Sequence, residues 1–197
     1  MEELALRTDE ELVAQFVEGC NEAFDVLLQR HKDRLYTYIS YLARNKDMAD
    51  DLFQETFVKA IMTLRQGRYT ETGRFYAWLT RIAHNLLIDQ FRNEKSEPIV
   101  YEEETEMSWF DSPAIMEASR ENEMVTEQVL KDVRRLMDNL PAPQREVVFM
   151  RYYQELSFKE ISDITGVSIN TALGRMRYAI LNMRRMAREH DLSLAVG

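Results

Sequence analysis

Residues 157–172, SFKEISDITGVSINTA, constrain this chain more than any other stretch. They read as a short helix, a glycine turn and a second helix. Ile161, Val167 and Ala172 fall where two crossed helices must bury apolar side chains, and Ser162 is small where the helices approach. Gly166 supplies the left-handed backbone that ends the first helix. Ser168 is placed to cap the second. Asn170, Thr171, Gly174 and Arg175 then lie near the exposed N-terminal end of that helix, the end that enters the major groove in a helix-turn-helix. The helix runs on through Arg175, Arg177, Arg184, Arg185 and Arg188 with no acid between them, a series suited to phosphates. A helical hairpin with a solvated basic face would share the glycine turn. The turn together with the spacing and the arginine series favours duplex DNA.

A net charge of −9 argues against such a partner until its distribution is considered. Residues 1–92 carry 15 acids and 12 bases, residues 93–127 carry 11 acids and two bases, and residues 128–197 carry eight acids and 11 bases. One short segment thus holds a charge equal to the whole, and the helix-turn-helix region is basic.

With six Gly, four Pro and few β-branched residues among 197, helix is the default and the expected fold class is all-α. Asp9 is expected to cap a helix holding Leu12, Val13, Phe16 and Val17, and Asn21 the next, from Phe24 to Leu42. A third helix is expected over 47–64, a loop marked by Gly67 and Gly73, and a fourth helix from about Arg74 to Asn93. Residues 93–127, with Pro98, Pro113 and the run Glu102, Glu103, Glu104, read as a flexible acidic linker. Further helices are expected over 127–139 and, after Pro141, over 144–153. Two helical domains follow, 1–92 and 128–197, joined by the linker.

Cys20 is the only cysteine, and His31, His84 and His190 are scattered, so neither a disulfide nor a metal centre is expected. No run of 18 apolar residues occurs and the acidic N-terminus does not read as a signal peptide, so the expected compartment is the cytoplasm. No nucleophile–base set or phosphate loop stands out, and neither catalysis nor a cofactor is expected.

Two further blocks, set beside the helix-turn-helix, carry a family resemblance. Residues 47–60 (DMADDLFQETFVKA) and 75–92 (FYAWLTRIAHNLLIDQFR) precede Leu140-Pro141 and Arg145-Glu146-Val147 in order. Together they resemble a bacterial sigma factor of the extracytoplasmic-function (ECF) group, the smallest members of the sigma-70 family. The resemblance covers about 9–92 and 128–188. It implies a sigma region 2 and a region 4, with the linker in place of a third domain. It also implies binding to core RNA polymerase through the β′ clamp and β flap, recognition of minus-ten and minus-35 promoter elements, promoter melting, and control by an anti-sigma factor.

By that resemblance the first block grips the polymerase clamp. Asp50, Asp51, Gln54 and Glu55 would form its polar side, with Leu52 and Phe53 as apolar contact. The second block would meet the minus-ten element. Residues 62–88 hold Arg65, Arg68, Arg74 and Arg81 against Glu71 alone, with Tyr69, Phe75, Tyr76 and Trp78 interleaved. Basic plus aromatic is the composition for holding an opened strand. Asn85 and residues 65–75 are the implied contacts. Trp78 reads equally as core, whereas Tyr69 and Tyr76 are expected at the surface. For the minus-35 element the candidates are Ser168, Asn170, Thr171, Leu173, Gly174, Arg175, Arg177 and Tyr178. Many family members carry a β-branched and then a basic residue after the threonine. Here Ala172, Leu173 and Gly174 follow Thr171. The linker is expected to reach between both promoter elements and to enter a basic channel of the polymerase. A conventional helix-turn-helix regulator, a helical enzyme with a DNA-binding tail and an interaction module are the rivals. The first leaves both upstream blocks unexplained, and the second needs a polar pocket.

Overall fold

The computed structural model describes residues 2–43, 45–70, 73–96 and 123–189. Most of the acidic linker, including Glu102, Glu103 and Glu104, lies outside these residues. The described residues are helical, without strands, and divide into two compact units.

The first unit contains α1 (Glu2–Ala5), α2 (Asp9–Val17), α3 (Asn21–Ala43), α4 (Lys46–Arg65) and α5 (Phe75–Ser96). The long helices α3, α4 and α5 pack on one another, with α2 laid against α3 and α4. Leu12, Leu27, Leu35, Ile39, Leu64 and Leu79 are fully buried between them. Phe24 links the layers, with its ring 5.0 Å from Phe16 and edge-on to Phe57 at 6.2 Å. Such offset and edge contacts are the favoured aromatic geometries.

The helix starts differ from expectation in an informative way. Thr8, not Asp9, caps α2. Its hydroxyl accepts from Glu11 N while the Glu11 carboxylate accepts from Thr8 N, a reciprocal capping box. Asp9 is freed to reach α3. Its carboxylate accepts from Arg30 and, at 2.8 Å, from His31 Nε2. Arg30 also donates to the carbonyls of Ala5 and Arg7, so it ties the N-terminal segment down. Burial alone would raise the Asp9 pKa, but the His31 and Arg30 partners outweigh it and hold the carboxyl below its usual value. Asn21 opens α3 instead of capping it. Asn45 caps α4 by accepting from Met48 N at 3.1 Å.

The second unit contains α6 (Glu123–Asp138), α7 (Ala142–Tyr152), α8 (Phe158–Thr165) and α9 (Ile169–Glu189). Helices α5 and α6 reach further into the segment expected as linker, to Ser96 and back to Glu123. Val147, Phe149 and Met150 of α7 are buried with Ile161 of α8 and Ala172 and Ala179 of α9. Ser157 and Glu160 form a second capping box. Gly166 takes φ +68° at the turn, as a left-handed C-cap requires. The Ser162 hydroxyl donates to the carbonyl of Val167 at 2.6 Å and pins the turn from inside. Gln144 and Asn182 bond at 2.8 Å, fixing α9 on α7.

Candidate functional site

The three surfaces expected from the sequence are built by different elements. The first lies on α4. Asp51, Gln54 and Glu55 are exposed on it. Asp50 is half-buried and accepts from the Tyr36 hydroxyl of α3 at 2.6 Å. That bond, together with burial, raises the Tyr36 pKa. Glu55 pairs with Lys59 one turn on, at 3.1 Å. Leu52 is 5% exposed, so it belongs to the core and is withdrawn as an apolar anchor for a partner. Phe53 is left in that role. It is half-buried, with its ring edge-on to Tyr36 at 5.4 Å. A concavity of about 420 Å3 opens here, lined by Lys32, Asp33 and Tyr36 of α3 and Asp50, Phe53 and Gln54 of α4. The α3 half of this face was not read from the sequence, because only the packing of α3 on α4 brings it there.

The second surface is the loop after α4 together with α5. Phe75 is 2% and Tyr76 7% exposed, so neither is placed to stack on a base, and both are withdrawn from the DNA-contacting set. Tyr76 packs against the His31 ring, stacked at 5.5 Å, and the Arg34 guanidinium, 3.9 Å from its centroid. Burial pushes its phenol pKa well up. Tyr69 is half-buried, with its ring 4.5 Å from that of the half-buried Trp78. This aromatic pair replaces Tyr76 at the surface. Arg68, Arg74, Arg81 and Asn85 are exposed. Trp78, Arg81 and Asn85 follow at i, i+3 and i+7, so they share one face of α5. Trp78 and Arg81 therefore join the candidate set, and their helical spacing with Asn85 is the signal that would have found them. Arg65 is exposed but anchored. Its Nη2 donates to Asn21 at 3.3 Å and its guanidinium lies 5.6 Å from the Phe16 centroid. At the loop's other end Gly73, at φ +70°, approaches α2 so closely that a Cβ there would lie 3.1 Å from Glu10 Oε1.

The third surface is the start of α9. Ser168 is exposed and accepts from Thr171 N at 3.1 Å, the cap expected from the sequence. The Thr171 hydroxyl bonds to the same Ser168 oxygen at 2.8 Å, so it is committed to the turn. Asn170, Leu173, Arg177 and Tyr178 are exposed, whereas Gly174 and Arg175 are half-buried. Arg184, Arg185 and Arg188 continue the exposed basic side.

Among the described residues no group of three His, Cys, Asp or Glu side chains could hold a metal ion. Among them, too, no helix is long and apolar enough to cross a membrane.

Known proteins are similar in sequence across both units. The family model for sigma-70 region 2 matches residues 27–97, and that for sigma-70 region 4 matches residues 130–175. The chain is 31% identical to the ECF RNA polymerase sigma-E factor of Escherichia coli over 175 residues, 86% of this chain and 88% of that one. It is 28% identical to RNA polymerase sigma factor CarQ of Myxococcus xanthus over 182 residues, 92% and 98% of the two chains. In fold it is similar to the sigma factor RpoE of Bartonella quintana, solved in complex with the anti-sigma factor NepR. That match has a TM-score of 0.65 at 23% identity and covers 84% of this chain and 96% of that one. Both relatives are RNA polymerase sigma factors by name. Region 2 on the first unit, region 4 on the second and whole-length relatives place this chain in the ECF group of the sigma-70 family of RNA polymerase sigma factors.

Proposed function

We propose a division of labour among the three surfaces. The α4 face, Asp50, Asp51, Gln54 and Glu55 with Phe53, docks on the polymerase clamp. Arg68, Tyr69, Arg74, Trp78, Arg81 and Asn85 hold the opened minus-ten strand, with Arg65 bracing the loop beside them. The start of α9 reads the minus-35 duplex through Asn170 and Leu173, with Arg177 on the adjoining phosphate. Ser168, Thr171 and Arg175 orient that helix, Gly174 lies at its groove side, and Tyr178 flanks it. The region-2 unit then ends with α5 and the region-4 unit begins with α6.

The observation that carries this reading is the placement of opposite chemistries on separate elements of one unit. An acidic side of α4 with a half-buried aromatic suits a basic partner helix. A basic and aromatic side of α5 and its loop suits single-stranded DNA. Stacking there is worth about 1–3 kcal/mol per base, comparable to the cost of unstacking one. Melting then needs capture of flipped bases and no catalytic chemistry of the chain's own. The protein acts in the cytoplasm, where polymerase and promoter are. An anti-sigma factor that covers these surfaces is the fitting regulator, a partner of the kind named in the Bartonella quintana complex.

The direct test is Asp51→Lys, at an exposed position outside the core. The variant should keep the wild-type melting temperature and bind core polymerase at least tenfold more weakly, a loss of about 1.4 kcal/mol. Unchanged core affinity would remove α4 as the docking face.

A further inference from the structure

Two neighbouring residues of α9 are unexplained by the packing of the second unit. Ala172, Met176 and Ala179 face its core. At about 100° per residue, Asn170 and Gly174 therefore point away from it, Arg177 lies at about 130° from the core direction and Leu173 on the adjoining flank at about 90°. Leu173 is a large aliphatic side chain left 44% exposed, comparable to Ile169 at 43% and Leu181 at 49% on the same helix. Gly174 is not required by the backbone, since it lies inside α9 without positive φ. Nor is it required by crowding, since a Cβ built there meets no atom within 4 Å. A glycine inside a helix disfavours the free fold, whereas a single exposed leucine is ordinary by itself. Their coincidence on the outward side of the recognition helix points to a bound partner.

We propose that Leu173 reads a thymine through its C5-methyl group and that Gly174 lets the α9 backbone sit close to the base edges. This rests on the reading of α9 as the duplex-facing helix and names the base class it selects. In the major groove the thymine methyl is the one apolar feature any base pair presents. Cytosine offers an amino donor there, which a leucine would desolvate without replacing its hydrogen bond. Asn170, three residues earlier on the same face, has the amide that pairs bidentately with adenine N6 and N7. The Thr171 hydroxyl is tied to Ser168. Asn170 and Leu173 together select a step containing adenine and thymine, and Arg177 on the same side suits the adjoining phosphate. The missing side chain at Gly174 brings the helix axis nearer, which the short reach of Leu173 needs.

The test uses the full chain bound to core polymerase. Duplexes randomised over the upstream element are selected for binding. Each thymine of the best duplex is then replaced singly by deoxyuridine, which lacks only the methyl. One replacement should weaken wild-type binding about fourfold, the value of one buried methyl group. Leu173→Ala should bind the thymine and uracil duplexes equally, so the two changes fail to add. Gly174→Ala should raise the thermal midpoint of the second unit by about 4 °C yet weaken binding to the selected duplex. That opposition of signs separates a groove contact from a merely structural residue. Equal sensitivity of wild type and Leu173→Ala to every uracil overturns the proposal, as does a Gly174→Ala variant that binds as tightly as wild type. If Leu173→Ala weakens core polymerase binding instead and leaves the thymine preference intact, the leucine is a protein contact and the proposal fails. Enrichment of no duplex at all would overturn the duplex-facing reading itself, a different outcome from a duplex selected without methyl dependence.

Discussion

At Glu155 the backbone enters the left-handed region, φ +49°, at an exposed position between α7 and α8. A side chain there carries strain that glycine avoids. Glu155→Gly should stabilise the second unit by about 1 kcal/mol, read as a higher midpoint in thermal unfolding. A lower midpoint would show that the glutamate side chain holds the turn. Leu52 and Tyr76 illustrate what single residues conceal. Both sit in blocks whose pattern was legible, yet which side of the helix each occupies depends on distant partners. Tyr76 is buried with His31 and Arg34, more than 40 residues earlier, packed against its ring. Trp78, half-buried beside Tyr69, then takes the place expected of Tyr76.

Among the elements, the long helices were readable because apolar residues recur at helical spacing in α3, α4 and α5. Caps were less so, because a capping residue and a first-turn acid look alike in sequence. Thr8 followed by Asp9, Glu10 and Glu11 offers several candidates, and only the structure shows Glu11 closing the box on Thr8. The displaced Asp9 becomes the clasp between α2 and α3. Its folded pKa is lowered, so its contribution is complete above its unfolded value, about 4, and is lost as pH falls through the lower folded value. Asp9→Asn should therefore destabilise the protein at pH 7, and the gap from wild type should close as pH drops below 4. Denaturant titrations across that range measure it. A gap independent of pH would deny the carboxylate its role. The clasp also bears on the loop after α4, since α2 meets Arg65 at the end of α4 through Phe16 and Gly73 of the loop through Glu10.

For the whole molecule, the charge distribution and the order of three blocks were sufficient to name the class, and the two units hold the matching regions. The α3 contribution to the proposed docking face was not legible, because Tyr36 and Asp50 meet only when two helices pack. On the proposed reading, a polymerase face, a strand-capturing face and a duplex-reading helix on one chain convert core polymerase into a promoter-specific enzyme. Run-off transcription from linear duplex DNA, with core polymerase in the presence and absence of the protein, tests it most directly. The expected result is a discrete transcript from a fixed start site that appears only with the protein and is lost with Asp51→Lys. Tight binding to core and to duplex with no start-specific transcript would contradict it.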